Sequence, residues 1–285
     1  MATEAAAVDD GPSNPGMGGT ENRALAAARL LAAHWREGRH LDALPAACRP
    51  TSADEGRAVQ ALWPVMAGER IAGWKIAATS AAGQRHIAVG GPLAGPVFAS
   101  RVHGEGAQLS LAHNGMRVAE CEIVFGMGHT LAPRGRPYAR DEVLAAVQTL
   151  HPGIEAPHSR FSAFEQAGEA QLIADCACCS QMLVGAAVTP DAAAIAALPT
   201  LVVRARVSDG RTPEGLGSHV LGDPVEALVW LVNELTATGR TLQAGHFVTT
   251  GACVAPIPVL PGQRVEADFG WIGRIGAQFT EGDTA

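Results

Sequence analysis

The stretch Met116 to Met127, Met-Arg-Val-Ala-Glu-Cys-Glu-Ile-Val-Phe-Gly-Met, constrains the fold more than any other part of the chain. Its apolar residues are too regular for a loop, and as a strand they sort cleanly, because successive side chains point to opposite faces. Ala119, Cys121, Ile123, Phe125 and Met127 make one apolar face, and Val118, Glu120, Glu122 and Val124 make the other. Two carboxylates thus stand side by side between valines. Like charges that close repel, and burying them unpaired is costly. Either this face is wet, or a cation lies between the two. A third carboxylate, Glu155, sits in a second short apolar run, Pro152-Gly153-Ile154-Glu155-Ala156. Three carboxylates suit a hard divalent ion such as Mg²⁺ or Mn²⁺. A solvated strand face is the alternative.

The rest of the chain gives this strand a core to sit in. Hydrophobic residues make up 47% of the 285 and charged residues 17%, enough for one large or two small domains. A net charge of −7 leaves no basic footprint for nucleic acid. The apolar runs are shorter than a membrane span, and the acidic start lacks the pattern of a signal peptide. The expectation is a cytoplasmic protein. The six cysteines agree, having neither the spacing of a disulfide framework nor a paired zinc motif. The close thiols Cys176, Cys178 and Cys179 read as small buried residues.

Residues 1–20 read as a disordered tail, residues 21–70 as an N-terminal helical region, and residues 71–285 as the main folded domain. Helices are expected over Glu21 to Glu37, from Ser52 to Met66 and over Asp141 to Leu150. Ser80 heads a short helix, and Asp223-Pro224-Val225-Glu226 opens a longer one. Strands are expected at Ile71 to Ala77, Pro152 to Ala156, Leu201 to Val207, His246 to Thr250, Val265 to Phe269 and Arg274 to Phe279. Many short strands with interspersed helices, and no sustained strand-helix-strand alternation, argue for an α+β fold with a curved, largely antiparallel core. Lys75 is the sole charge in its strand. It reads either as an edge residue or as a site lysine for an anionic substrate.

Five segments resemble one family, the 2-keto-4-pentenoate hydratases and 4-oxalocrotonate decarboxylases of the fumarylacetoacetate hydrolase superfamily. They are GWKIAATS from Gly73, AECEIVF from Ala119, PGIEAPHSRF from Pro152, QLIADCACC from Gln171, and GHFVTTGACVAPIPVLPGQRVEADFGWIG from Gly245. The resemblance implies a mixed β-roll with peripheral helices. It implies that Glu120, Glu122 and Glu155 bind one Mg²⁺ or Mn²⁺, with Lys75 beside the substrate. It further implies a hydratase that adds water to a 2-hydroxy-2,4-dienoate through a metal-stabilised enolate, giving a 4-hydroxy-2-oxo acid. Decarboxylation of a 4-oxalocrotonate-like acid and C–C hydrolysis of an acylpyruvate are the related alternatives. A non-catalytic partner subunit or small-acid binder is the alternative of another class. Asp175 is expected to assist Lys75, and Arg160 to clamp a carboxylate. A homo-oligomer, at least a dimer, is expected. His158 stands where the family usually has Asp, and Cys176 where it usually has Asn. Both are expected to reshape the proton-transfer or substrate-reading side of the pocket, with His158 titrating near neutrality.

Overall fold

The computed structural model describes residues 19–282. Most of the tail read over residues 1–20 lies outside them, and Gly19 and Thr20 already belong to the first helix, Gly19–Glu37. Among the described residues, two sheets and a set of helices share the core.

The larger sheet runs in the order Leu93–Phe98, Ile71–Ala77, Phe247–Ala252, Val118–Met127, Val147–Ala156, Gln181–Val184 and Val102–His103, with Ile257–Pro258 also paired to Val118–Met127. Most pairings are antiparallel, but Ile71–Ala77 runs parallel to Phe247–Ala252, and Val102–His103 parallel to Gln181–Val184. The smaller sheet orders Gln108–Ser110, Arg274–Thr280, Arg264–Asp268, Val202–Val207 and Glu214–Leu216. This is the α+β arrangement of mixed sheets and helices expected from the sequence.

The period-2 alternation of the central strand is realised. Ala119, Cys121, Ile123, Phe125 and Met127 pack into one core with Val203, Val265, Ile275 and Phe279 of the smaller sheet and with the helix Pro224–Ala237. Val124, on the opposite face, joins a second core. There it meets Ala24, Ala27, Ala28, Leu31 and Ala32, whose three- and four-residue spacing makes one apolar stripe on the first helix. The expected N-terminal helical region therefore packs on the carboxylate-bearing face of the sheet.

Two expected boundaries are corrected. The helix read from Ser52 to Met66 is capped by Ser52, but it is split into Ala53–Ala61 and Trp63–Ala67. Pro64 has no N–H to continue the helical ladder. The helix read over Asp141 to Leu150 covers only Arg140–Leu144, and Val147 to Leu150 belong to the strand Val147–Ala156. Ala145 and Ala146 turn the chain, and pairing of Val147, Thr149 and Leu150 with Met127, Gly126 and Phe125 takes the rest into the sheet.

Candidate active site

Alternation along four neighbouring strands builds the site. Trp74 and Ile76, Val248, Cys121 and Ile123, and Ile154 all face the first core. Lys75, Thr249, Glu120, Glu122 and Glu155 must then share the opposite face. Register brings them together: Lys75 lies beside Thr249, Glu122 beside Ala252, and Glu120 directly across from Glu155. One oxygen from each of the three carboxylates lies within 4.8 Å of the other two.

Lys75 Nζ is 3.3 Å from Glu155 Oε1 and donates to the carbonyl of Ala177 at 3.0 Å. Glu122 Oε2 accepts from the Gly251 N–H at 2.8 Å and from the Thr249 hydroxyl. Burial alone would lower the lysine's pKa. The charges of Glu155, Glu120 and Glu122 outweigh it and hold the ammonium above the usual range. Burial pushes all three carboxyls up. It acts on Glu155, with Lys75 opposing and Glu120 reinforcing, to bring it to about 7. In Glu122 burial is joined by repulsion from Glu155 and Glu120, and in Glu120 it is opposed by Lys75. One ammonium cannot balance three carboxylates, and Glu122 Oε1 and Glu155 Oε2 are buried without a hydrogen-bond partner. Orphaned buried oxygens in a hard, over-anionic cluster fit a divalent cation.

Two close approaches shape the surroundings. Gly251 has φ +105° beside Thr79, and a Cβ there would lie 2.1 Å from the Thr79 hydroxyl. Gly95, the cross-strand partner of Lys75, lies against the carbonyl of Cys176, which a Cβ would approach to 2.1 Å. That carbonyl belongs to an unusual turn, in which Cys176, Ala177 and Cys178 all have positive φ. Left-handed backbone costs roughly 1–2 kcal/mol per non-glycine residue, so the turn needs support. Arg160 and Asp175 supply it. They are 1% and 0% exposed and ion-paired. Arg160 donates to the carbonyls of Asp175 and Cys179, the latter at 2.8 Å, while Asp175 also accepts from the Ser159 hydroxyl at 2.7 Å.

The carboxylate cluster opens on a cavity of about 570 Å³ through Lys75 and Glu120. Ile87, Met116, Phe164 and Val254 give it an apolar wall, and its polar edge carries His86, Glu214 and His219. Arg160, expected to clamp a carboxylate, and Asp175, expected to assist Lys75, do not line it; they brace the turn that holds Lys75. Cys176 is packed into the second core, whereas Cys178 does reach the cavity. All six cysteines are buried and free.

His158 departs most from expectation. It lines a different cleft of about 970 Å³, together with Arg36, Arg101, His103, His113 and Gln181. Its ring meets His40 edge-on at 5.0 Å. Burial, then Arg160, His40, His113 and Arg101, push its pKa down to about 3, so it does not titrate near neutrality. Because the unfolded chain protonates at about 6.5 and the folded one resists, stability is full above about pH 6.5 and falls as pH drops toward 3. At pH 4 this amounts to on the order of 3 kcal/mol. His158→Gln should flatten that acid slope by a comparable amount in urea titrations at pH 7 and pH 4. An equal acid loss in parent and variant would rule this out.

Thr249, Gly251, the Ala177 carbonyl and His219 were not identified from the sequence. Thr249 and Gly251 had a signal, since both lie in the Thr-Thr-Gly run that closes the strand Phe247–Ala252.

No family model matches the chain. The 2-hydroxyhexa-2,4-dienoate hydratase of Comamonas testosteroni is 32% identical over 218 residues, which cover 75% of this chain and 80% of that protein. The chain belongs to the 2-keto-4-pentenoate hydratase family. 2-Keto-4-pentenoate hydratase 1 of Dechloromonas aromatica (strain RCB), 28% identical over 258 residues, matches 89% of this chain and 96% of its own length. In three dimensions, 4-oxalocrotonate decarboxylase from Pseudomonas putida G7, complexed with magnesium and adipate, superposes with a TM-score of 0.80. That match covers 93% of this chain and all of that one at 23% identity, a likeness of fold.

Proposed function

We propose that this hydratase-family chain is a metal-dependent hydro-lyase that adds water to a 2-hydroxy-2,4-dienoate to give a 4-hydroxy-2-oxo acid. The observation that carries the reading is the carboxylate cluster, over-anionic and short of partners, opening with Lys75 into a largely apolar cavity. Glu120, Glu122 and Glu155 would hold a Mg²⁺ or Mn²⁺ ion. When bound, the ion supplies positive charge that draws electrons toward the 2-oxo oxygen.

Lys75, fixed by Glu155 and Ala177, presents a permanent positive charge to the cavity. An ammonium has no lone pair, so Lys75 serves to orient the substrate carboxylate. The apolar wall keeps bulk water from the reacting diene. No arginine lines this cavity among the described residues. A second, distal carboxylate, as in a 4-oxalocrotonate-like acid, would lack the bidentate partner that recognises it well. This favours hydration of a mono-acid over decarboxylation of a diacid.

The chain is placed in the cytoplasm, a reading supported by its buried free thiols. Among the described residues no helix is long and apolar enough to cross a membrane. We further propose a homo-oligomer of at least two chains, tested by its mass in solution.

The test is loss of diene absorbance from 2-hydroxypenta-2,4-dienoate in the presence of Mn²⁺, beside release of carbon dioxide from 4-oxalocrotonate. Turnover of the second substrate alone would reject the reading. Lys75→Met keeps the aliphatic stem and should lower kcat/KM by about 100-fold or more without weakening Mn²⁺ binding, since it removes a repelling charge. Unchanged turnover would remove Lys75 from the site.

A further inference from the structure

We infer that His219 is the base that takes the proton from the attacking water, an assignment that rests on the hydratase reading above. His219 lines the same cavity as Lys75 and Glu120, at its solvent-facing edge where water enters. It closes the short turn Gly217–His219, and the Leu221 N–H two residues on donates to the Thr79 carbonyl at 2.9 Å. Thr79 lines the cavity too, so this bond ties the histidine's loop to the cavity wall.

The ring is set for the task. Nδ1 lies 2.8 Å from the carbonyl oxygen of Cys253. A carbonyl only accepts, so Nδ1 carries the proton and Nε2 keeps its lone pair. The Leu216 N–H is 3.4 Å from the same Nδ1, too far to outweigh that contact. Among the described residues nothing hydrogen-bonds Nε2. Cys253 in turn donates its N–H to the carbonyl of Cys121, the residue between Glu120 and Glu122. The histidine is thereby linked through one backbone step to the carboxylate strand.

The other titratable groups of the cavity fit the role less well. Lys75 is an ammonium in an ion pair, and Glu120 belongs to the carboxylate cluster. The Cys178 thiol is pushed up to about 12 by burial. Glu214 lies 3.5 Å from Arg204, and the ring of His86 stands edge-on to Phe164.

In the step, the dienoate first ketonises, its 2-hydroxyl proton being lost and a proton arriving at carbon 5. Water then gives one proton to His219 Nε2 while its oxygen bonds to carbon 4. The electron pair of the 3,4-double bond shifts toward the 2-oxo oxygen. The proton on Nε2 is delivered to carbon 3, so one water is added and the imidazole is restored.

The test compares the parent with His219→Gln and His219→Ala in D₂O with Mn²⁺ and 2-hydroxypenta-2,4-dienoate, followed by proton NMR. Glutamine should lower kcat for hydration by about 100-fold or more, with KM moved less than about threefold. Enzyme-dependent deuterium uptake at carbon 5 should persist. Added imidazole should restore part of the activity of His219→Ala. Hydration within threefold of the parent overturns the assignment. So does a parallel loss of carbon-5 uptake, which would make the residue a support for the cavity wall. A parent that hydrates no dienoate overturns the hydratase reading itself, a result visible before any variant is made.

Discussion

Glu122→Gln is expected to give a protein that is more stable than the parent in the absence of divalent ions and nearly indifferent to their addition. Glu122 is fully buried, with one oxygen on Thr249 and Gly251 and the other without a partner. An amide oxygen can still accept from both donors. The substitution removes a charge that burial and repulsion from Glu155 and Glu120 disfavour, and that Lys75, the Gly251 amide and the Thr249 hydroxyl favour. Removing a buried charge that two like charges repel should be stabilising. For the same reason the variant should bind Mn²⁺ about 100-fold more weakly, a loss of about 2.7 kcal/mol. Thermal unfolding with and without Mn²⁺ reads the first effect, and titration calorimetry the second. Equal Mn²⁺ affinity in parent and variant would show that Glu122 is no ligand.

Asp175→Asn should be the most destabilising conservative change in the site. It leaves the Arg160 guanidinium buried beside a neutral amide, and breaking a buried pair on one side costs about 3–5 kcal/mol. In a chain of this size that lowers Tm by roughly 10 °C. The pair also braces three consecutive left-handed residues, Cys176 to Cys178, and Ala177 is the carbonyl that holds Lys75. The loss should therefore reach the site as well as the melting curve. Replacing both partners, Arg160→Met with Asp175→Leu, should recover a large part of the stability because no charge is then stranded. A single variant melting within a degree or two of the parent would show that the pair does not hold the turn.

Much of the site was legible because a strand has period 2. Once Cys121, Ile123 and Ile154 are assigned to the core, Glu120, Glu122 and Glu155 must point the other way. Lys75 stood out as the sole charge of its strand, although nothing in its neighbourhood named Glu155 as its partner. His158 lies past the end of the strand at Ala156: Pro157 lines the cavity, and His158, one residue on, lines the other cleft. Local reading failed where pairing is long-range. Arg160 and Asp175 are fifteen residues apart, and the turn that they brace, Cys176 to Cys178, has positive φ values with no glycine to announce them. Val147 to Leu150 looked helical until the neighbouring strand claimed them. His219 lies in a loop, where neither periodicity gives direction.

The strand order has a kinetic consequence. Lys75, Glu122, Glu155 and Thr249 come from strands that are neighbours in space and distant along the chain, and Phe247–Ala252, near the C-terminus, is the wedge between the Lys75 strand and the carboxylate strand. Closing such long loops precedes any gain from the contacts they allow, which slows folding. Without Phe247–Ala252, Glu122 lacks its Thr249 and Gly251 donors and the Lys75 strand lacks its parallel neighbour, so the carboxylates leave the ribosome well before the strand that completes their cage.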